Sequence, residues 1–274
     1  MKRIAIALAL LCLAGCERNG QHPWLGYAEG EDAFISAPQP GWLADLEVKR
    51  GDKVEPGQVL FTLDDTAQQD ARDQAKATLA QTEAQLTQAQ AALAYATKEL
   101  QRQSNLVAAH AGTAATLDLA RSNYDQAVAQ IRQTEAQEKQ ATAALNDAEY
   151  QLAQRAVIAR GVGRIEDIYF RQGEYVPAST PVISLLPPAN VYVRFFVPEK
   201  ELSQVRLGQK VRIACDGCKD TTATVTFIAQ QEEFTPPVLF SIANRDKLVF
   251  KLEARAPGGL KLNPGQPVDV TPLR

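Results

Sequence analysis

Apolar residues recur every seven positions through the middle third of the chain. Leu79, Leu86, Leu93, Leu100 and Val107 mark one series, with Ala75, Thr82, Ala89 and Ala96 four residues before them. A second series follows Gly112. It comprises Leu117, Tyr124, Ile131, Leu145 and Leu152, interrupted by Glu138, with Ala120, Ala127, Thr134, Ala141 and Ala148 three residues after. A heptad stripe keeps one helix face against a partner at 3.5 residues per turn, so each series predicts one arm of a coiled coil. Between Thr66 and Arg155 there is no proline and only one glycine, Gly112. Two matching arms around it predict an antiparallel helical hairpin over residues 66–155. At 1.5 Å per residue each arm is about 60 Å long. Such a shape is a spacer, too thin to be the core of an enzyme.

Outside the hairpin the pattern shortens to apolar runs cut by turn residues. Leu43, Leu46 and Val48 precede Gly51-Asp52, and Val54 and Pro56-Gly57 precede Val59–Leu63. A shift of 122 residues repeats this pattern beyond the hairpin: Gly41 falls on Gly163, Leu43 on Ile165, Gly51 on Gly173, Val54 on Val176 and Leu63 on Leu185. Neither copy can bury a core alone. Facing each other across a pseudo-twofold, residues 37–65 and 156–185 predict one small β-sandwich with the hairpin leaving from between its halves. Residues 186–274 are β-rich, with strands expected near 191–197, 211–214, 223–229, 248–256 and 268–270, and a short helix over 198–207. With residues 24–36 as a first strand region, they predict a small β-barrel. The expected class is α+β: a long antiparallel coiled-coil hairpin inserted in a split β-domain, then a barrel.

Composition changes this picture little. The formal net charge is −3 and no Lys/Arg run occurs, so nucleic acid is not an expected partner. The N-terminus changes it more. Lys2 and Arg3 precede an apolar run over residues 4–13, which marks residues 1–15 as a signal peptide. Leu13-Ala14-Gly15-Cys16 matches the lipobox of bacterial lipoproteins at all four positions. That likeness implies lipidation of Cys16 after cleavage, with residues 16–23 as a tether. The alternative is an ordinary secretory signal ending near a chance cysteine.

Catalytic candidates are few. His22 and His110 have no acid or cysteine at catalytic spacing, and no phosphate loop or metal-ligand cluster occurs, so no enzyme, cofactor or metal is expected. Asp64-Asp65 stand where strand meets helix, which suits capping better than paired-carboxylate chemistry. Cys215-Asp216-Gly217-Cys218 lies between two strand-like runs. A structural disulfide over an Asp-Gly turn and a redox pair are both open, the redox case lacking the helix N-terminus that stabilises a thiolate.

The split sandwich resembles a biotinyl/lipoyl domain interrupted by a helical hairpin. Its carrier function is not expected, because the turn that would present a modified lysine is replaced by the hairpin and Met1 is the only methionine. Near Gly112, Arg102, Leu106, Thr113, Leu117, Asp118 and Ala120 follow the spacing Arg-x3-Leu-x6-Thr-x3-Leu-Asp-x-Ala. This resembles the hairpin-tip motif of periplasmic adaptor proteins (membrane fusion proteins), which implies docking of these six residues on a TolC-like outer-membrane channel. A serine is usual at the Thr113 position and a β-branched residue at that of Gly112. The blander alternative is that the leucines merely close the coil. Glu233-Phe234-Thr235-Pro236, Leu248–Arg255 and Pro264–Val268 resemble HlyD-type adaptors of ABC export systems, notably the YbhG-like group. The resemblance implies an inner-membrane transporter of ABC type as partner, a homo-oligomer of six copies, and a lipid anchor in the inner membrane of a Gram-negative cell, facing the periplasm. The small amount of chain on either side of the predicted domains also favours the ABC partner. A structural coiled-coil lipoprotein without a transport role is the rival reading.

Overall fold

The computed structural model describes residues 23–234 and 248–273. Cys16, the signal segment and most of the tether lie outside the described residues, as do Thr235 and Pro236. The central element is the hairpin of α1 (Thr66–Ala108) and α2 (Ala114–Ala153). In α1, Thr82, Ala89 and Ala96 are buried and Leu79, Leu86, Leu93, Leu100 and Val107 half-buried. In α2, Ala120, Thr134 and Ala141 are buried, and the second heptad series lines the same seam. The two buried threonines are satisfied within their own helices. Thr82 Oγ1 donates to the carbonyl of Thr78 at 2.9 Å, and Thr134 Oγ1 to that of Gln130 at 2.8 Å. Small side chains at the closest approach hold a seam that buries one stripe on each helix and leaves the other faces in solvent.

The barrel begins with β1 (Trp24–Gly30), and the sandwich follows. Its strands are β2 (Ala33–Ser36), β3 (Gly41–Leu46), β4 (Lys53–Val54), β5 (Val59–Leu63), β6 (Ala156–Ile158), β7 (Gly163–Ile168), β8 (Tyr175–Val176) and β9 (Pro181–Leu186). They form two sheets, ordered β2-β9-β7-β4 and β6-β5-β3-β8. The 122-residue repeat holds down to single hydrogen bonds. The amide of Gly51 donates to the carbonyl of Ile165, and that of Gly173 to the carbonyl of Leu43, both at 2.8 Å. The short strands are exchanged: β4 pairs with β7 and β8 with β3, so each half completes the other. The core is likewise shared, with Leu43, Val54, Leu60 and Leu63 meeting their repeats Ile165, Val176, Val182 and Leu185.

Residues 24–36 do not all join the barrel. The chain divides at Glu31-Asp32, and β2 pairs antiparallel with β9, Ala33 lying opposite Leu185. The repeat explains this, because β2 occupies in one sheet the place that β6 takes beside β5 in the other.

The barrel closes in the order β1-β10-β13-β12-β11-β14. Its later strands are β10 (Val191–Pro198), β11 (Lys210–Ala214), β12 (Thr221–Phe234), β13 (Leu248–Arg255) and β14 (Pro267–Pro272). Trp24, Phe195, Ile213, Leu252 and Val270 fill it, with Trp24 stacked on Phe195 at 5.8 Å. The indole Nε1 of Trp24 donates to Glu201 Oε2 at 2.6 Å, tying the barrel to the one-turn helix α3 (Glu199–Leu202). The helix expected over 198–207 shortens to this turn, and the chain then bends at Gly208 with φ +83°. Among the described residues, no helix is long and apolar enough to cross a membrane.

Candidate functional site

The feet of the hairpin fix its direction. Its first helix follows β5 and its second leads into β6, two strands paired with Thr62 opposite Ala156. Arg155 Nη1 donates to the carbonyl of Pro40 at 2.9 Å, and Gln39 bonds to Gln151. The cap of α1 comes from Asp64 rather than from Asp65, whose side chain makes no cap bond. Asp64 Oδ1 accepts from the hydroxyl of Thr66 at 2.7 Å and from its amide at 3.1 Å. Those hydrogen bonds, hydroxyl first, hold the Asp64 carboxyl below the usual aspartate range.

At the far end, α1 stops in a Schellman motif. The amide of Ala111 donates to the carbonyl of Leu106 at 2.8 Å and that of His110 to Val107 at 3.0 Å, with His110 left-handed at φ +57°. Gly112 then packs so closely that a Cβ would meet Leu106 Cβ, Val107 Cγ2 and the Val107 amide, each at 3.2 Å. Glycine is therefore what this turn accommodates, where a β-branched residue would crowd it. Thr113 is the N-cap of α2, its hydroxyl accepting from the Thr116 amide at 3.3 Å.

The six residues read as docking candidates separate on this scaffold. Arg102 is exposed and ion-paired with Glu99 one turn earlier; Leu106 and Asp118 are also exposed. Leu117 is half-buried in the seam. Ala120, at 4% exposure, faces the first arm and is closed to any partner. The heptad spacing accounts for that correction, since Ala120 belongs to the companion series. Leu119, an apolar residue off the seam positions and outside the tip spacing, is 63% exposed. The tip thus presents Arg102 with Leu106 and Leu119 at the end of a rod about 60 Å long.

Two further features lie on the barrel. Cys215 and Cys218 form a disulfide across the turn joining β11 to β12, with Gly217 left-handed at φ +77°. A polar cluster links β1, β10 and β13. Tyr192 donates to Glu29 Oε2 at 2.6 Å, Arg194 Nη1 to Glu29 Oε1 at 2.6 Å, and the Arg255 guanidinium lies 4.3 Å above the Tyr192 ring. Burial and the hydrogen bond to Glu29 push the Tyr192 hydroxyl up to about 12. Among the described residues, no group of His, Cys, Asp and Glu is placed to hold a metal ion.

Residues 78–155 match the family model of the RND MFP alpha-helical hairpin domain. The chain is 32% identical over 304 residues to a UPF0194 membrane protein of Citrobacter koseri, covering 92% of this chain and 91% of the relative. It is also 32% identical over 274 residues to the UPF0194 membrane protein in the asrC 5′ region of Acidithiobacillus ferridurans, covering 84% and 80%. Among solved structures it superposes on MacA from Actinobacillus actinomycetemcomitans with a TM-score of 0.70 at 20% identity, over 92% of this chain and 79% of that one. The membrane fusion protein Spr0693 from Streptococcus pneumoniae R6 gives a TM-score of 0.57 at 17% identity, over 91% and 97%. A hairpin rooted in a two-fold sandwich, a barrel beside it and these relatives together place the chain in the periplasmic adaptor (membrane fusion protein) family, among its UPF0194 members.

Proposed function

We propose that this chain is the adaptor subunit of an envelope export system, joining an inner-membrane transporter to a TolC-like outer-membrane channel. It stands in the periplasm as a homo-oligomer of six copies, held to the inner membrane by acyl chains on Cys16. The observation that carries the reading is the tip: an exposed arginine one helical turn before exposed Leu106 on the first helix, with Leu119 exposed on the second, at the end of the hairpin remote from both β-domains. Aromatic and arginine anchors with apolar neighbours dominate binding energy at interfaces, where truncation commonly costs more than about 2 kcal/mol. Arg102→Asp or Leu106→Ser should abolish channel association and export while leaving thermal stability unchanged. A cysteine placed at Thr113 should crosslink to a channel subunit. Normal export by both tip variants sinks the proposal.

The transporter is of ABC type in this reading, supported by the resemblance of the late β-segments to HlyD-type adaptors. A second reading, an RND transporter, is favoured by the name of the family model that residues 78–155 match. Crosslinking in intact envelopes and mass identification of the transporter captured decide between them. Retention of acyl labelling by Cys16→Ser would overturn the anchor.

A further inference from the structure

The geometry points to a binding site for a single-chain anionic amphiphile in the cleft between sandwich and barrel, separate from any contact at the hairpin tip. The cleft has a volume of about 540 Å³. Its sandwich wall is the β4–β7 pair, where Lys53 lies opposite Arg164 and Val54 opposite Gly163. The facing wall is the segment joining β13 to β14, and the connection from β9 to β10 lies between them, contributing Leu186 and Val191. The facing wall is fixed by its backbone. Gly259 lies against Pro188 so closely that a Cβ would meet the Pro188 carbonyl at 1.7 Å. The amide of Leu260 donates to the carbonyl of Val191 at 3.3 Å, and that of Gly265 to the carbonyl of Ala28 at 2.8 Å. The site is therefore shaped before any ligand arrives.

Its chemistry is divided between floor and rim. Leu186, Val191 and Leu260 make an apolar floor, and Val162 and Leu262 extend it toward solvent, Val162 being 53% exposed. Around it stand three cations, Lys53, Arg164 and Lys261, the two lysines fully open to solvent. Arg164 is steadied through Nε by Glu166 at 2.8 Å, and its side chain stays 41% exposed. Lys53 and Lys261 have no ion-pair partner among the described residues. Glu55 is the one carboxylate on the same rim. Small-molecule sites favour domain junctions, where an apolar lining carries a few placed polar groups. An alkyl tail gains by covering the apolar lining, and an anionic head gains at lysines and an arginine that are not already neutralised. Because Glu55 trims the surplus of positive charge, the head that fits is singly charged, as in a long-chain carboxylate.

The full-length chain in nanodiscs of zwitterionic lipid tests this with dodecanoate carrying a diazirine in its tail, crosslinked by light and mapped by peptide mass spectrometry. Label should fall on residues 186–191 and 260–264, and excess unlabelled dodecanoate should displace it. Dodecyltrimethylammonium at the same concentration should not. Lys53→Glu with Lys261→Glu should lower labelling by about tenfold, since two exposed ion contacts are reversed. Lys53→Arg with Lys261→Arg should keep it. Val162→Trp narrows the mouth of the cleft and should lower labelling with no change of charge. Circular dichroism checks that all three variants are folded. Label elsewhere on the chain, equal displacement by the cationic amphiphile, or full labelling of the charge-reversed or tryptophan variant overturns the inference. So does stronger labelling by a two-chain anionic phospholipid bearing the same diazirine, which would make the cleft a seat for membrane lipid. Channel association is not read in this assay, so its failure and this one are distinguishable.

Discussion

Ser179 repeats, 122 residues on, the left-handed backbone of Gly57, with φ at +61° in the serine and +86° in the glycine. Their hydrogen bonds are reciprocal: Gly57 donates to the carbonyl of Ala159 at 2.8 Å and Ser179 to that of Ala37 at 2.9 Å. A Cβ in this region costs about 1–2 kcal/mol, partly offset in the unfolded chain by the greater freedom of glycine. Ser179→Gly should therefore stabilise the sandwich by about 0.5–1 kcal/mol, and Gly57→Ser should cost a similar amount. Urea unfolding followed by tryptophan fluorescence reads both, and a destabilised Ser179→Gly protein would show that the serine is not strained.

His110 stands in the same backbone region for a different reason, as the residue that ends α1. Glycine is the usual choice there. Replacing His110 by glycine should stabilise the tip turn by about 1 kcal/mol, whereas His110→Val should fray the last turn of the helix. Amide hydrogen exchange at Ala109 and Ala111 measures this directly. Equal protection in all three proteins would refute it.

The hairpin was legible in the sequence because a seam that buries one stripe per helix leaves nothing else to confuse its period. The repeat was legible because left-handed turns at Gly51 and Gly173 need glycine whatever surrounds them. β2 was not, since four residues, three half-buried and one exposed, are too few to carry a period and its partner β9 lies far along the chain. The barrel's closure through β1 and β14 was hidden for the same reason. At the tip the heptads told orientation where the tip spacing told only residue type, and the two disagree at Ala120. Ala120 and Leu119 are neighbours in sequence, yet one helical step turns one into the seam and the other into solvent.

Tyr192 provides a test of the barrel's polar cluster. Its hydroxyl is raised from the ordinary 10 to about 12, so the folded state holds the proton more tightly than the unfolded chain. The stabilisation is present in full below pH 10 and is lost as pH rises toward 12. In an absorbance titration of the native protein, one of its seven tyrosines should ionise late, and Tyr192→Phe should remove that phase. Thermal melts should fall less steeply above pH 10 in the variant than in wild type. An unchanged late phase in Tyr192→Phe would move the raised hydroxyl elsewhere.

Glu138 occupies a seam position of α2, one heptad after Ile131 and one before Leu145, and it is half-buried there while its neighbours Gln137 and Lys139 are exposed. Polar residues in a seam commonly hold a coiled coil in register at a cost in stability. This hairpin has its register set by other means. The chain is continuous at Gly112, and both feet are fixed to paired strands of the sandwich. A one-heptad slip would tear those feet away, so the glutamate is not required to prevent it. Leucine and glutamate have nearly equal helix propensity. Half-burying a leucine side chain contributes about 1 kcal/mol. Glu138→Leu should therefore raise hairpin stability by about that amount without altering the length of the rod. Glu138→Gln separates removal of charge from gain of apolar area and should give only a fraction of the effect. A lower melting temperature in Glu138→Leu would mean that the carboxylate makes a favourable contact across the seam, and that stability and register are linked here after all.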